Sequence, residues 1–197
     1  MKGRGSMIEI RHLSFRERFA LWFESVFMEK IVPKNRVGPV LKPIFRLPLF
    51  FQRIGLWWLI PRNVLILTTT GRRTGRPHKT PVEFGPGPRS QPYMVMSGWD
   101  GHTDWYRNLL ADPCLRVSYR GREWEARAEP APDAEVEQVM KELARLTPAA
   151  RRMWSRWAGF EIDGSDASYL AAAPHFPSLY LIKVESEMSK VESPGAG

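Results

Sequence analysis

The spacing of hydrophobic positions along the chain changes at Asn63. Before it, "RERFALWFESVFMEKI" sets Phe19, Trp22, Phe23, Val26 and Phe27 on one side of a helix, with Arg18, Glu24 and Lys30 mostly on the other. "IFRLPLFFQRIGLWWLIP" is also apolar but is broken by Arg46, Pro48, Gln52 and Arg53. Two helices are expected, over residues 14–31 and 39–58, punctuated by prolines 33, 39, 43 and 48. After Asn63 the pattern shortens to strands. "NVLILTTT" is an apolar, β-branched run, and "KTPVEFG" and "PYMVMSG" follow with "PGPRSQ" between them as a hairpin loop. "TDWYRNLLADP" predicts a short helix capped by Thr103 or Asp104 and ended by Pro113. "CLRVSYRGREWEARAEP" predicts two alternating strands that turn at Arg120-Gly121.

Further on, "DAEVEQVMKELARL" places Val136, Val139, Met140, Leu143 and Leu146 at helical spacing. "TPAARRMWSRWAGF" starts another helix, with Thr147 as N-cap and Pro148 in the first helical position. "SLYLIKVE" closes the series as a strand, and the polar end of the chain is expected to be mobile. About six strands joined mostly by hairpins, with flanking helices, imply an α+β domain built on an antiparallel sheet or small barrel. A doubly wound sheet would alternate strand and helix instead. The organisation expected is an N-terminal helical extension over 1–60, a body over 61–186 and a tail over 187–197.

Composition adds one asymmetry. A chain of 197 residues, 43% hydrophobic and 25% charged, suits one soluble domain with an appendage. Its net charge of +8 is confined to residues 1–63, where 12 Lys and Arg stand against 4 Asp and Glu; beyond them the count is 17 against 17. A neutral body speaks against nucleic acid as a partner. Basic residues interleaved with Trp and Phe in 1–60 suit either an anionic surface, such as the inner face of a membrane, or the cover of the body or of a second subunit in a homodimer. The polar breaks argue against a membrane span, and Glu24 against a secretory signal. The single cysteine, Cys114, rules out an intrachain disulfide and fits a reducing cytoplasm; its place at a strand start predicts a small buried thiol.

The densest candidate chemistry lies in "LTTTGRRTGRPHKTP". It is not a P-loop, because Arg73 and His78 stand where glycines are required. Gly71 and Gly75 permit positive φ or close approach, backbone N–H groups there can form an anion nest, and Arg72 and Arg73 add paired donors. Taken alone, the cluster is equally a solvated hairpin turn. In "SGWDGHTDWYRN", Asp100, His102 and Asp104 alternate, but no further His or Cys cluster completes a metal site. A Ser97, His102, Asp104 hydrolase lacks its elbow, with Val95 and Trp99 at the glycine positions. Trp105 and Tyr106 open the short helix, and Tyr93, Trp124, Trp154, Trp157 and Tyr169 either line a pocket or fill the core. His175 is expected in a loop before the last strand.

In combination, "LTTTGRRTGRPHKTPVEF", "YMVMSGWDG", "DWYRNLLADPCLRVSYRGREWEARA" and "HFPSLYLIKVE" resemble the deazaflavin-dependent nitroreductase and quinone reductase family over residues 60–186. The resemblance implies a split β-barrel related to flavin-binding folds and a reductase that uses coenzyme F-420 on a quinone-like, nitro or otherwise conjugated hydrophobic acceptor. It implies that Arg72, Arg73, Thr74 and Gly75 hold the anionic cofactor tail, with His78 and Lys79 adding phosphate contacts. The ring is then expected near Pro81, Met96, Ser97, Gly98 and Trp105, with Ser97 and Trp105 as the catalytic positions. Aromatic residues line the substrate side in this family, which points to Trp99, Trp154, Trp157 and Tyr169. Two departures stand out: Gly98-Trp99 replaces the lysine or asparagine common after the serine, and Thr103-Asp104 replaces a proline. Relatives of this fold also bind FMN or lipids, so an FMN-dependent oxidoreductase and a non-catalytic carrier of a hydrophobic ligand remain the alternatives.

Overall fold

The computed structural model describes residues 42–85, 93–146 and 148–184. The helix expected over 14–31, the "PGPRSQ" loop, the Thr147 cap and the tail over 187–197 lie outside these residues. Six strands, β1 (Val64–Thr70), β2 (Pro77–Gly85), β3 (Met94–Met96), β4 (Cys114–Tyr119), β5 (Arg122–Pro130) and β6 (Ser178–Lys183), close into a barrel in the order β1-β2-β3-β6-β5-β4. Every neighbouring pair is antiparallel. The helices are α1 (Lys42–Arg53), α2 (Asp104–Ala111), α3 (Asp133–Leu146), α4 (Pro148–Ala158) and α5 (Asp166–Ala172). Among the described residues, no helix is long and apolar enough to cross a membrane.

Period-two alternation fills the barrel. Leu65 and Leu67, Leu115 and Val117, and Ala126 and Ala128 point inward from β1, β4 and β5. The β4–β5 turn takes two residues, Arg120 (φ 51) and Gly121 (φ 79), which is the left-handed pair that a tight hairpin needs. One mouth of the barrel is plugged by α2 through Trp105 and Leu109. The opposite mouth is closed by edge-to-face and stacked rings of Phe84, Tyr93, Tyr119 and Trp124.

A second core lies outside the wall. Met94 and Tyr180 face outward from β3 and β6 and are covered by α3, α4 and α5 through Val136, Met140, Trp154 and Tyr169. Those strands are therefore buried on both faces, which is why "MVM" and "SLYL" are apolar throughout. On the other flank α1, which continues through Pro48, packs against β2. Cys114 is exposed, against expectation. Strand alternation explains the error: Leu115 and Val117 take the inward positions of β4, so Cys114 and Arg116 face out.

Candidate functional site

The β1–β2 connection, Gly71 to Arg76, stands above the mouth that α2 plugs. The Gly71 carbonyl accepts from Thr74 N–H and Gly75 N–H, and Gly71 N–H donates to the Arg76 carbonyl, so the loop closes on itself. Gly75 supplies the left-handed residue (φ 64). Gly71 is needed for another reason: a Cβ there would meet the His78 ring at 2.6 Å.

These bonds change the picture of an anion nest. The N–H groups of Gly71, Arg72, Thr74, Gly75 and Arg76 all have internal acceptors, the last on Thr74 Oγ1 and that of Arg72 on Asn108 Oδ1. Only the Arg73 N–H has no partner among the described residues of this loop. The cationic side chains divide in the same way. The Arg72 guanidinium, 22% exposed, is held by Asp104 at 3.0 Å and by Asn108 Oδ1 at 3.0 Å. Arg73 and Arg76 are exposed, and their guanidinium groups pair with no described residue.

Asn108 is the hub that the sequence reading missed. It is buried, its Oδ1 accepts twice from Arg72, and its Nδ2 donates to Thr69 Oγ1 at 3.2 Å. The signal was present, since Asn108 sits with Trp105 and Leu109 at the i, i+3, i+4 positions of the buried face of α2. A polar residue on such a face requires a partner. Thr103 occupies the N-cap position of α2, yet its hydroxyl does not cap the helix. It meets Ser97 Oγ at 2.8 Å, and Ser97 is itself fully buried.

Between them runs the loop Ser97–Thr103, pinned to β6 by Ser97 N–H donating to the Pro177 carbonyl. Trp99 (φ 55) and Asp100 (φ 52) are both left-handed although neither is glycine. That geometry costs about 1–2 kcal/mol per residue. Two contacts offset it. The Trp99 ring stacks on Trp157 of α4 at 5.0 Å, a pairing worth about 0.5–1.5 kcal/mol. Asp100 Oδ1 lies 2.6 Å from Nδ1 of His175, which stands in a short 3-10 helix rather than a plain loop. Gly98 is pressed against Trp157, so that a Cβ there would reach the ring at 2.9 Å. Burial raises the Tyr106 phenol above its ordinary value, which keeps it protonated beside Gly101.

The predicted site residues therefore fall into four places. Arg72, Arg73, Thr74, Gly75 and His78 form the loop above α2. Lys79 and Pro81 are on the outer wall of β2, opposite to the inward Val82. There Lys79 helps line an open groove of about 370 Å³ with Leu49, Gln52, Arg53, Trp57 and Glu123. Met96, Ser97, Gly98 and Trp99 continue from β3 toward Trp157. Trp105 (7% exposed), Trp154 (4%) and Tyr169 (5%) are core residues, the first in the barrel mouth and the other two under the helices.

Residues 53–157 match the family model described as F420H(2)-dependent quinone reductase. The chain belongs to that family. Membership makes it a deazaflavin-dependent oxidoreductase with coenzyme F-420 as its cofactor. Among solved structures, it is similar to an F420-H2 dependent reductase (FDR-A) at 18% identity, over 62% of this chain and 96% of that one, with a TM-score of 0.42. A conserved hypothetical protein from Mycobacterium tuberculosis matches at 14% identity, over 74% and 91% of the two chains, with a TM-score of 0.37.

Proposed function

We propose that this reductase delivers the hydride of reduced F-420 to a quinone-like or other planar conjugated acceptor, with the cofactor tail held by the β1–β2 loop. The observation that carries the tail assignment is the division of labour among the arginines. Arg72 is tied down by Asp104 and Asn108, while Arg73 and Arg76 keep their guanidinium groups exposed and unpaired among the described residues. A phosphate and glutamyl chain presents the oxyanions that such planar donors match. The residues present therefore fit the group.

When bound, F-420 supplies a hydride from its deazaflavin ring. The chain contributes placement and a dry pocket more than proton transfer. Ser97 and Thr103 hold the β3 end by their mutual hydrogen bond, which fixes the backbone at Gly98. The close contact of Gly98 with Trp157 keeps that strand end flush with the aromatic wall on which the acceptor lies. Trp154 supports the wall from behind through Phe176, which stacks on Trp157.

Titrating F-420 into the protein and following tryptophan fluorescence tests the tail assignment. Saturable quenching is expected, and Arg73→Ala with Arg76→Ala weakens it without lowering thermal stability. Absence of binding at micromolar F-420 sinks the proposal.

A peripheral membrane contact is the second proposal, supported by α1 and the 3-10 helix after it. Ile44, Leu47, Phe50, Ile54 and Trp58 recur at helical spacing, each at least 46% exposed, with Arg46 and Arg53 nearby. Flotation with anionic vesicles is expected for the wild type and reduced by Phe50→Glu with Trp58→Glu. Equal flotation of both proteins refutes the contact.

A further inference from the structure

Trp157 combines two features that ordinary core packing does not explain. Its indole Nε1 is buried and has no hydrogen-bond partner among the described residues. A core position without a use for that N–H is better filled by Phe, because a buried unpaired donor is costly. Trp157 is also covered by a residue held in an unfavourable conformation: Trp99 stacks on it from a loop in which Trp99, Asp100 and Gly101 are all left-handed (φ 55, 52 and 71). Strain of this kind persists only where surrounding contacts enforce it, and it collects at ligand clamps and switch regions.

The two rings differ in how they are anchored. Trp157 is on α4, stacks on the fully buried Phe176 and has the Gly98 backbone against it. Trp99 belongs to a loop whose next residue is fastened to the exposed His175 by a single contact, Asp100 Oδ1 to His175 Nδ1. The inner ring is fixed, and the outer one has a latch.

We propose that Trp99 is a displaceable plug, occupying on Trp157 the place of the planar ring of the electron acceptor. Entry of a flat aromatic or quinone ring exchanges one stack for another, releases the left-handed turn and brings a ring oxygen to Trp157 Nε1–H. A bulky acceptor without a flat face gains nothing from the exchange, so the plug selects for planarity. The plug rests on the acceptor wall proposed above at Gly98 and Trp157.

The test measures binding of menadione, a flat naphthoquinone, to the full chain by calorimetry without cofactor, with F-420 affinity followed in parallel. Adamantanone serves as the non-planar ketone control. If the plug competes with the acceptor, apparent affinity is reduced by the fraction of open molecules, and removing the plug restores it. Trp99→Ala is expected to tighten menadione binding about three- to tenfold and to leave adamantanone unchanged. His175→Gln, which loosens the latch only, moves menadione in the same direction by less. Trp157→Phe, made together with Trp99→Ala, keeps the stack but loses the donor and weakens menadione about fivefold. Weaker or unchanged menadione binding in both Trp99→Ala and His175→Gln overturns the plug, as does equal tightening of adamantanone. The His175 variant keeps the test decisive if Trp99→Ala fails to fold. Should F-420 not bind while Trp99→Ala still tightens menadione, the cofactor assignment falls and the plug stands. Normal F-420 binding with no Trp99 effect removes the plug alone.

Discussion

Replacing Asn108 is the sharpest probe of how the cofactor loop is held. Asn108 accepts from Arg72 N–H and from its guanidinium, and donates to Thr69. Asn108→Ala removes all three bonds at a site 4% exposed. Each intramolecular bond contributes about 1 kcal/mol net, and a buried group left unpaired costs about 1–3 kcal/mol. Arg72 keeps its contact with Asp104, so its guanidinium is not stranded. The two groups left without an acceptor or donor are the Arg72 N–H and the Thr69 hydroxyl, which gives a loss of about 3 kcal/mol. In a chain of this size that lowers Tm by about 6–12 °C. Asn108→Asp is the control, because both partners can donate to a carboxylate: Arg72 already does, and the Thr69 hydroxyl can rotate to do so. It should cost about 1 kcal/mol or less, the Arg72 charge offsetting the burial of a carboxylate. Thermal and urea denaturation measure both variants, and F-420 quenching reports whether Arg73 has moved. If the Ala and Asp variants lose the same stability, or if Ala loses under about 0.5 kcal/mol, the strap does not hold the loop.

The other expectations are local. Gly75→Ala keeps the loop but forces a Cβ into left-handed backbone (φ 64), lowering stability by about 1–2 kcal/mol in the same denaturation assay. Gly98→Ala drives a Cβ to within 2.9 Å of the Trp157 ring, so it should lower Tm and reduce near-ultraviolet tryptophan dichroism, whereas Gly85→Ala, with 3.7 Å of room, should do neither. Asp163 accepts from Ser165 N–H at 2.8 Å, and this bond is the largest cause that lowers its pKa from 3.8 to about 2. A depressed carboxylate stabilises the fold above its ordinary range and loses that contribution as pH falls through about 2. Asp163→Asn should therefore flatten stability against pH between those two values, as followed by acid denaturation; an unchanged acid limb refutes the capping role.

The barrel strands were legible because inward and outward positions alternate, as with Leu115 and Val117 against Cys114 and Arg116. That rule also corrects the burial assigned to Cys114. It has no force in β3 and β6, where helices cover the outer face, and a continuous apolar run does not say which side meets the barrel. The cationic loop was legible as a candidate site, but not its internal economy. Thr69 and Arg72 stand 39 and 36 residues before Asn108, and no local pattern couples them. Likewise Asp100 and His175 are 75 residues apart, and neither is unusual in its own segment.

What the fold adds is a reason for two arginines in sequence. A single guanidinium cannot both strap the loop to α2 and face a ligand, since its planar fork is fixed by whichever oxyanion it grips. Arg72 is committed to Asp104 and Asn108, and the turn that begins at Gly71 directs the next residue away from that contact. Arg73 is consequently presented with its own N–H unpaired, a second donor on the same side of the loop from one residue. Substituting lysine at the two positions separates the roles. Arg72→Lys cannot grip Asp104 and Asn108 at once with the same planarity and should lose stability, whereas Arg73→Lys keeps the charge and should lose only a modest part of F-420 affinity. The reverse pattern would mean that the strap and the clamp have been assigned to the wrong residues.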